Sequence, residues 1–190
     1  MPMPVAIEKT EFDGLYVVRT GLIRDDRGFF AETYSKNMYR EAGLAGEFVQ
    51  DNLSESAKGT LRGMHYQIEP DGMVKLVRCL RGAIYDVVVD LRRGAPTFGK
   101  WWGCELNERD GATLWIPVGF AHGFLALEES SVVHYKCTAH HVPSAERSLS
   151  YACPKVGIEW PAPPALISKK DIAAPCLDEA EFNFVYAGTR

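Results

Sequence analysis

Long apolar runs are missing from this sequence. Stretches such as Ala83 to Tyr85 and Val87 to Val89 are cut by Asp86 and Asp90, far short of the ~20 residues a membrane span requires. The amino end lacks a basic region followed by an apolar stretch, having Pro at positions 2 and 4 and an acid at position 8, so no signal peptide is expected. Cysteine is sparse. Cys79, Cys104, Cys137, Cys153 and Cys176 are odd in number, lie far apart and form no C-x-x-C. Neither a disulfide framework nor a zinc knuckle is expected, and a reducing cytoplasm is the compartment that fits. Positive charge is also in deficit, with 21 Lys and Arg against 25 Asp and Glu for a net charge of -4. That excludes a face that holds nucleic acid by neutralising many phosphates, while a local basic cluster for one small anion stays open. No P-loop and no G-x-G-x-x-G is present.

What is present is the composition of a folded domain. Of 190 residues, 46% are hydrophobic and 24% charged, and a chain of this length is read as a single domain over 1–190 with extensions. Seventeen Gly, 11 Pro and the 9 Phe, 8 Tyr and 4 Trp favour short strands joined by tight turns. Strand-like segments are Val74 to Cys79, Ala83 to Leu91, Trp101 to Leu106, Thr113 to Ile116, His122 to Leu127 and Val132 to Ala139. Their spacing predicts a mainly β fold, a sandwich or barrel, with a core over about 46–160 and a carboxy-terminal tail over 161–190 that leaves at Trp160-Pro-Ala-Pro-Pro164. Ser35 is placed to cap a helix over Lys36 to Ala42, ended by Gly43, and Asp178 to cap a short turn reaching Phe182. Trp101 and Trp102 read as core and interface packing, and Arg92-Arg93 and Lys169-Lys170 as solvated surface.

Gly111-x5-Pro117-x-Gly119-x2-His122 resembles the second motif of the cupin β-barrels, with Ala126 where that motif has Asn. The first cupin motif supplies His-x-His and Glu, whereas Gly63-Met64-His65-Tyr66-Gln67 carries one imidazole. A three-His-plus-carboxylate metal site is one ligand short, so no metal is expected. His140-His141 is no substitute, because adjacent strand residues point to opposite faces. Two imidazoles inside a barrel suit removal of a weakly acidic proton beside a carbonyl, given a group that stabilises the enolate.

A wider set of blocks points the same way. Asp26-Arg27-Gly28-Phe29-Phe30-x-Glu32, Phe48 to Asn52, Leu61-Arg62-Gly63-Met64-His65-Tyr66-Gln67, Lys75 to Cys79, Asp86 to Arg92, Pro96 to Gly99 and Trp115 to Phe124 resemble, in order, the dTDP-4-dehydrorhamnose 3,5-epimerases. The resemblance spans about residues 20–178. It implies a cupin (jelly-roll) barrel with short helices and terminal extensions. It also implies epimerisation of a dTDP-linked 4-keto-6-deoxyhexose at C3 and C5 without a cofactor, in a homodimer that exchanges N-terminal strands. Three alternatives stand beside it: epimerisation at C3 alone, a non-catalytic sugar-nucleotide-binding cupin, and a metal-dependent cupin.

Carried over residue by residue, the resemblance makes His65 the base and Asp171, in Ser168-Lys169-Lys170-Asp171, its orienting carboxylate. Lys75 would face the C4 oxyanion, and Tyr135 would return the proton from the opposite side. Arg27 and Arg62, with Gln50 and Glu32, would hold the nucleotide and diphosphate. Asn52, His122, His141, Glu146 and Lys170 would complete the substrate contacts. From the residues alone, Ser168-x-x-Asp171 is also a capping-box spacing, Tyr135 a plausible buried strand tyrosine, and His65 an ordinary barrel histidine. Lys75 sits in the apolar run from Met73 to Val77, where an inward ammonium is costly without an anion. The chain departs from the family at His140-His141, where a Tyr pair is usual, and at Ser148 to Cys153, where G-I-x-W-N-D is usual.

Overall fold

Period-two burial along the strands sorts the chain into an inner and an outer surface, and the fold follows from closing the inner one. A computed structural model describes residues 5–188; the opening Met-Pro-Met-Pro and the last two residues lie outside it. In chain order the elements are β1 (Val5–Lys9), β2 (Tyr16–Thr20), β3 (Ile23–Asp25), β4 (Gly28–Phe30), α1 (Lys36–Glu41), β5 (Gln50–Ser56), β6 (Thr60–Gln67) and β7 (Lys75–Arg81). They continue with β8 (Ala83–Asp90), β9 (Trp101–Asn107), β10 (Ala112–Ile116), β11 (Phe120–Ala126), β12 (Ser131–Cys137), β13 (Glu146–Ser148), β14 (Leu166–Ile167) and α2 (Lys169–Ile172).

One sheet has the order β1-β2-β10-β7-β12-β5 and the other β13-β6-β11-β8-β9, with β14 added in parallel on β6. The other strand pairings are antiparallel, and β3 with β4 forms a separate two-stranded ribbon. The jelly-roll barrel expected from the sequence is the one observed. Its interior is filled at one end by Val77, Ile84, Val88, Leu114, Phe120, Phe124 and Val133, each worth roughly 1.5–3 kcal/mol when fully buried. Outside the first sheet, Tyr39 of α1 and Leu44 pack on Val18, Leu76 and Trp115. Outside the second, the chain after β13 and the tail lay Leu149, Cys153, Val156, Leu177 and Phe184 over Met64, Tyr66, Val87 and Val89. Wrapping this outer face returns the chain to the barrel mouth, where α2 begins.

Several local expectations need correction. Cys153 and Cys176 form a disulfide, with Cα atoms 5.1 Å apart; an odd cysteine count hides a single pair that only the tail's path brings together. Cys79, Cys104 and Cys137 are free. Asp178 lies within a turn over 177–179 and caps no helix; its carboxylate pairs with Lys155. Ser35 stands at the N-cap of α1 with no side-chain cap bond. Arg92 is not solvated surface: it donates to the buried Asp90 at 2.8 and 2.9 Å and lies 4.4 Å from the centre of the Phe120 ring. Lys169 and Lys170 are exposed as expected, and Lys170 also pairs with Glu146 at 2.6 Å. His140 and His141 lie in the loop after β12, not in a strand, so the face argument made for them does not apply.

Candidate active site

Where the apolar filling stops, the inward positions of the same strands become polar. β7 turns Lys75 inward in line with Val77 and Cys79, and β12 turns Tyr135 inward between Val133 and Cys137. β8 places Asp86 between Ile84 and Val88, and β11 places His122 between Phe120 and Phe124. On β6, Arg62 and His65 are an odd number of residues apart and would face opposite sides of a regular strand. The register with β11 shifts between them, pairing His65 with His122 but Arg62 with Phe124. This bulge brings both side chains into the cavity. It depends on Gly63, whose φ is +135° and whose missing Cβ would lie 2.4 Å from the Gly123 Cα.

The polar end opens into two connected lobes of about 540 and 320 Å³. Arg62, His122, Lys170 and Asp171 line the larger, and Gln50, Asn52, His141 and Glu146 the smaller. His65, Lys75 and Tyr135 line both. Of the residues singled out in the sequence, Arg27 and Glu32 alone stay away. Arg27 is exposed in the β3–β4 ribbon and pairs with Asp25, and Glu32 follows that ribbon.

The hydrogen bonds fix most of these groups. His65 Nε2 lies 2.7 Å from Asp171 Oδ1. Asp171 is 3% exposed, and its backbone N–H donates to Ser168 Oγ at 3.1 Å. Half of the capping box is formed: Ser168 Oγ caps the helix, while the Asp171 carboxylate bonds the imidazole rather than the helix start. Burial pushes the His65 pKa below its usual value, Asp171 pushes it back up, and Lys75 and Lys170 add to the lowering. Lys75 is half-buried and lines the cavity. Burial pulls its ammonium below the usual range, against the opposing carboxylates of Asp86 and Glu146, and its Nζ lies 3.4 Å from the His65 carbonyl. Tyr135 is raised by burial and stays a phenol at neutral pH.

Around this centre, Arg62 donates to Ser56 Oγ and to the Glu55 carbonyl at 3.0 and 3.1 Å. At the smaller lobe, Glu146 accepts from Lys170 at 2.6 Å and faces His141 Nε2 at 3.5 Å. Burial raises the Glu146 pKa, but Lys170 and the neighbouring imidazoles hold it below the usual carboxylate range. Two contributors escaped the sequence reading. Asp86, fully buried, lies 2.9 Å from His122 Nε2; an acid at an inward position of an apolar strand was the available signal. Gln67 accepts from the Val142 N–H at 2.7 Å and donates to the His140 carbonyl at 3.2 Å, anchoring the loop that carries His141. Among the described residues, no group of three or more His, Cys, Asp or Glu is gathered as a metal-binding set, and no helix is long and apolar enough to cross a membrane.

Chemically, this is an imidazole backed by a carboxylate, a buried ammonium and a phenol facing one space, with guanidinium and amide groups around it. Known proteins share the arrangement's scaffold. Residues 9–179 match the family model described as dTDP-4-dehydrorhamnose 3,5-epimerase. The epimerase of that name from Sinorhizobium fredii is 42% identical over 187 residues, covering 95% of this chain and 96% of its own. A Legionella pneumophila dTDP-6-deoxy-D-glucose-3,5-epimerase, solved in complex with dTDP-4-keto-L-rhamnose, superimposes with a TM-score of 0.88 at 42% identity, covering 92% and 94% of the two chains. A 3′-monoepimerase from Streptomyces bikiniensis, solved with dTDP-quinovose, superimposes with a TM-score of 0.84 at 33% identity, covering 89% and 86%.

Proposed function

This chain belongs to the dTDP-4-dehydrorhamnose 3,5-epimerase family and is an isomerase of a dTDP-linked 4-keto-6-deoxyhexose; from that premise we propose that it inverts C3 and C5 through proton abstraction by His65. The observation that carries the proposal is the shared lining of the two lobes. The three groups an enolate route needs, a base, a cation and a proton donor, are the residues common to both.

In this mechanism the His65 Nε2–H donates to Asp171, which leaves Nδ1 as the base and stabilises the imidazolium once the proton is taken. The C4 ketone makes the C3 and C5 hydrogens acidic. As one leaves, charge moves to the C4 oxygen, where Lys75 stabilises it in a water-poor space. Tyr135 then delivers a proton to the opposite face of the same carbon, and inversion results. Proton exchange with solvent resets both groups, and repetition at the second carbon completes the reaction. Only protons move and no net oxidation occurs, so the scheme calls for no cofactor. Asn52, Glu146 and the His122 held by Asp86 contact the sugar, while Arg62, Gln50, Lys170 and His141 recognise the nucleotide and diphosphate part.

Arg27 and Glu32 enter the site in a homodimer. β1 and β2 pair with β10 of their own chain, so the element available for exchange is the β3–β4 ribbon. Its Phe29 and Phe30 are 54% and 66% exposed, which suits burial against a second copy. We assign the enzyme to the cytoplasm, since its substrate is a nucleoside diphosphate ester too polar to cross a bilayer unaided; in that reducing compartment the Cys153–Cys176 bond is a link that opens and closes with the redox state.

Turnover of the 4-keto sugar in D2O tests the assignment. Deuterium at both C3 and C5 of the product is expected, and deuterium at C3 alone would replace the reading with that of a 3-epimerase.

A further inference from the structure

We propose that the Cys153–Cys176 disulfide is a positioning device for the reaction: it holds Asp171 against His65, and its reduction slows turnover. The inference rests on the dyad role given to these two residues above. It starts from how little backbone pairing fixes α2, a helix of four residues that is too short to sustain itself and whose Lys170 pairs with Glu146 of β13 from an exposed position. Before it, β14 contributes two residues paired with Thr60 and Leu61. After it, the backbone is tied to the barrel by one hydrogen bond, from the Ser150 N–H to the Pro175 carbonyl at 2.8 Å, and then by the disulfide.

The bond closes a ring through the candidate catalytic pair. Ser148 of β13 lies opposite His65 of β6, and Met64 and Leu149 exchange backbone hydrogen bonds at 2.8 and 3.3 Å. Five residues beyond Ser148 comes Cys153; five residues before Cys176 stands Asp171, whose carboxylate returns to His65. The strand beside the base, β13, and the segment that follows the helix holding its orienting acid are thus joined covalently outside the cavity. Cys153 is 3% exposed and its sulfur accepts from the Leu177 N–H at 3.4 Å, so the link is packed in the tail's apolar layer.

Reduction by a dithiol opens the ring. A reagent thiolate attacks one sulfur, the other cysteine leaves as a thiolate and takes a proton, and the reagent's second thiol displaces the first cysteine. Two protein thiols and one cyclic reagent disulfide result, with two electrons and two protons transferred. Between α2 and Cys176 the backbone then keeps the one hydrogen bond from the Ser150 N–H to the Pro175 carbonyl, while Leu177 and Phe184 beyond it stay packed on the second sheet, and Asp171 drifts from the imidazole.

The test compares oxidised enzyme, enzyme reduced with dithiothreitol under argon, and the Cys153→Ser/Cys176→Ser variant. Thiol titration in denaturant is expected to find the three free cysteines before reduction and two more after it; no increase on reduction overturns the proposal. Reduced enzyme and variant are expected to lose kcat by roughly tenfold, the scale on which a small misplacement acts, with KM changed by less than about twofold. The acid limb of the kcat profile is expected to move to lower pH, because Asp171 raises the His65 pKa. A role limited to stability leaves that limb in place, so a loss that only tracks the unfolded fraction seen by circular dichroism overturns the proposal. In Asp171→Asn, reduction is expected to cost nothing further. If it costs the same factor there, the tether does not act through Asp171, although the dyad stands. If Asp171→Asn has wild-type kcat, the dyad reading itself falls and takes the tether with it.

Discussion

Replacing Asp171 by Asn removes one charge and almost no volume, so it isolates what the carboxylate does for His65. The carboxylate lies 2.7 Å from Nε2 and is 3% exposed. A hydrogen bond to a charged partner in such surroundings is worth roughly 1.5–3 kcal/mol. If that is gained as the imidazolium forms, its loss lowers kcat by a factor of roughly 10 to 150. KM should hardly move, because Asp171 acts through His65 rather than on the ground-state sugar. The pH dependence has a definite sign. Burial, Lys75 and Lys170 push the His65 pKa below its usual value and Asp171 alone among the named groups pushes it up, so the variant titrates lower still. An imidazole NMR titration of the free enzyme, with initial rates followed by proton NMR, measures both. A variant with kcat within twofold of wild type, or with a His65 pKa unchanged or raised, would refute the reasoning.

Other perturbations separate the remaining roles. Lys75→Met should lower kcat by roughly 10²–10³, the cost of losing one oxyanion donor, while the thermal midpoint holds or rises because a buried ammonium is replaced by an apolar chain; a collapse of the fold, or a loss below tenfold, contradicts the role. Tyr135→Phe should still wash solvent deuterium into recovered substrate through His65 but form product at least ~10²-fold more slowly; equal loss of wash-in and product contradicts a donor on the opposite face. Gly63→Ala sets a Cβ 2.4 Å from the Gly123 Cα at a φ of +135° and should cost about 3 kcal/mol or more, lowering the thermal midpoint by roughly 6–12 °C. An unchanged midpoint would show that the bulge carrying Arg62 and His65 does not need this glycine.

The barrel was legible because its inner strands are long and apolar with turn residues between them, and the six strands marked in the sequence from residue 74 onward match β7 to β12 within about two residues at most ends. The dyad partner was legible only through resemblance, since a helix of one turn at position 171 has no periodicity to read. The disulfide was hidden for a related reason: a separation of 23 residues says nothing until the tail's route over the second sheet is known. Asp86 was passed over because polarity in a strand reads as a solvent-facing position, and only the inward register of β8 reverses that. Arg27 and Glu32 mark the opposite case, clear as a motif yet remote from the cavity within one chain.

The central claim is that one imidazole takes the protons beside the C4 ketone. Solvent-deuterium incorporation into the 4-keto sugar, followed by NMR for wild type and His65→Ala at equal concentrations, tests it most directly. The account predicts label at C3 and C5 with wild type and none above background with the variant. Label entering at the wild-type rate with His65→Ala, or no label with either protein, would contradict it.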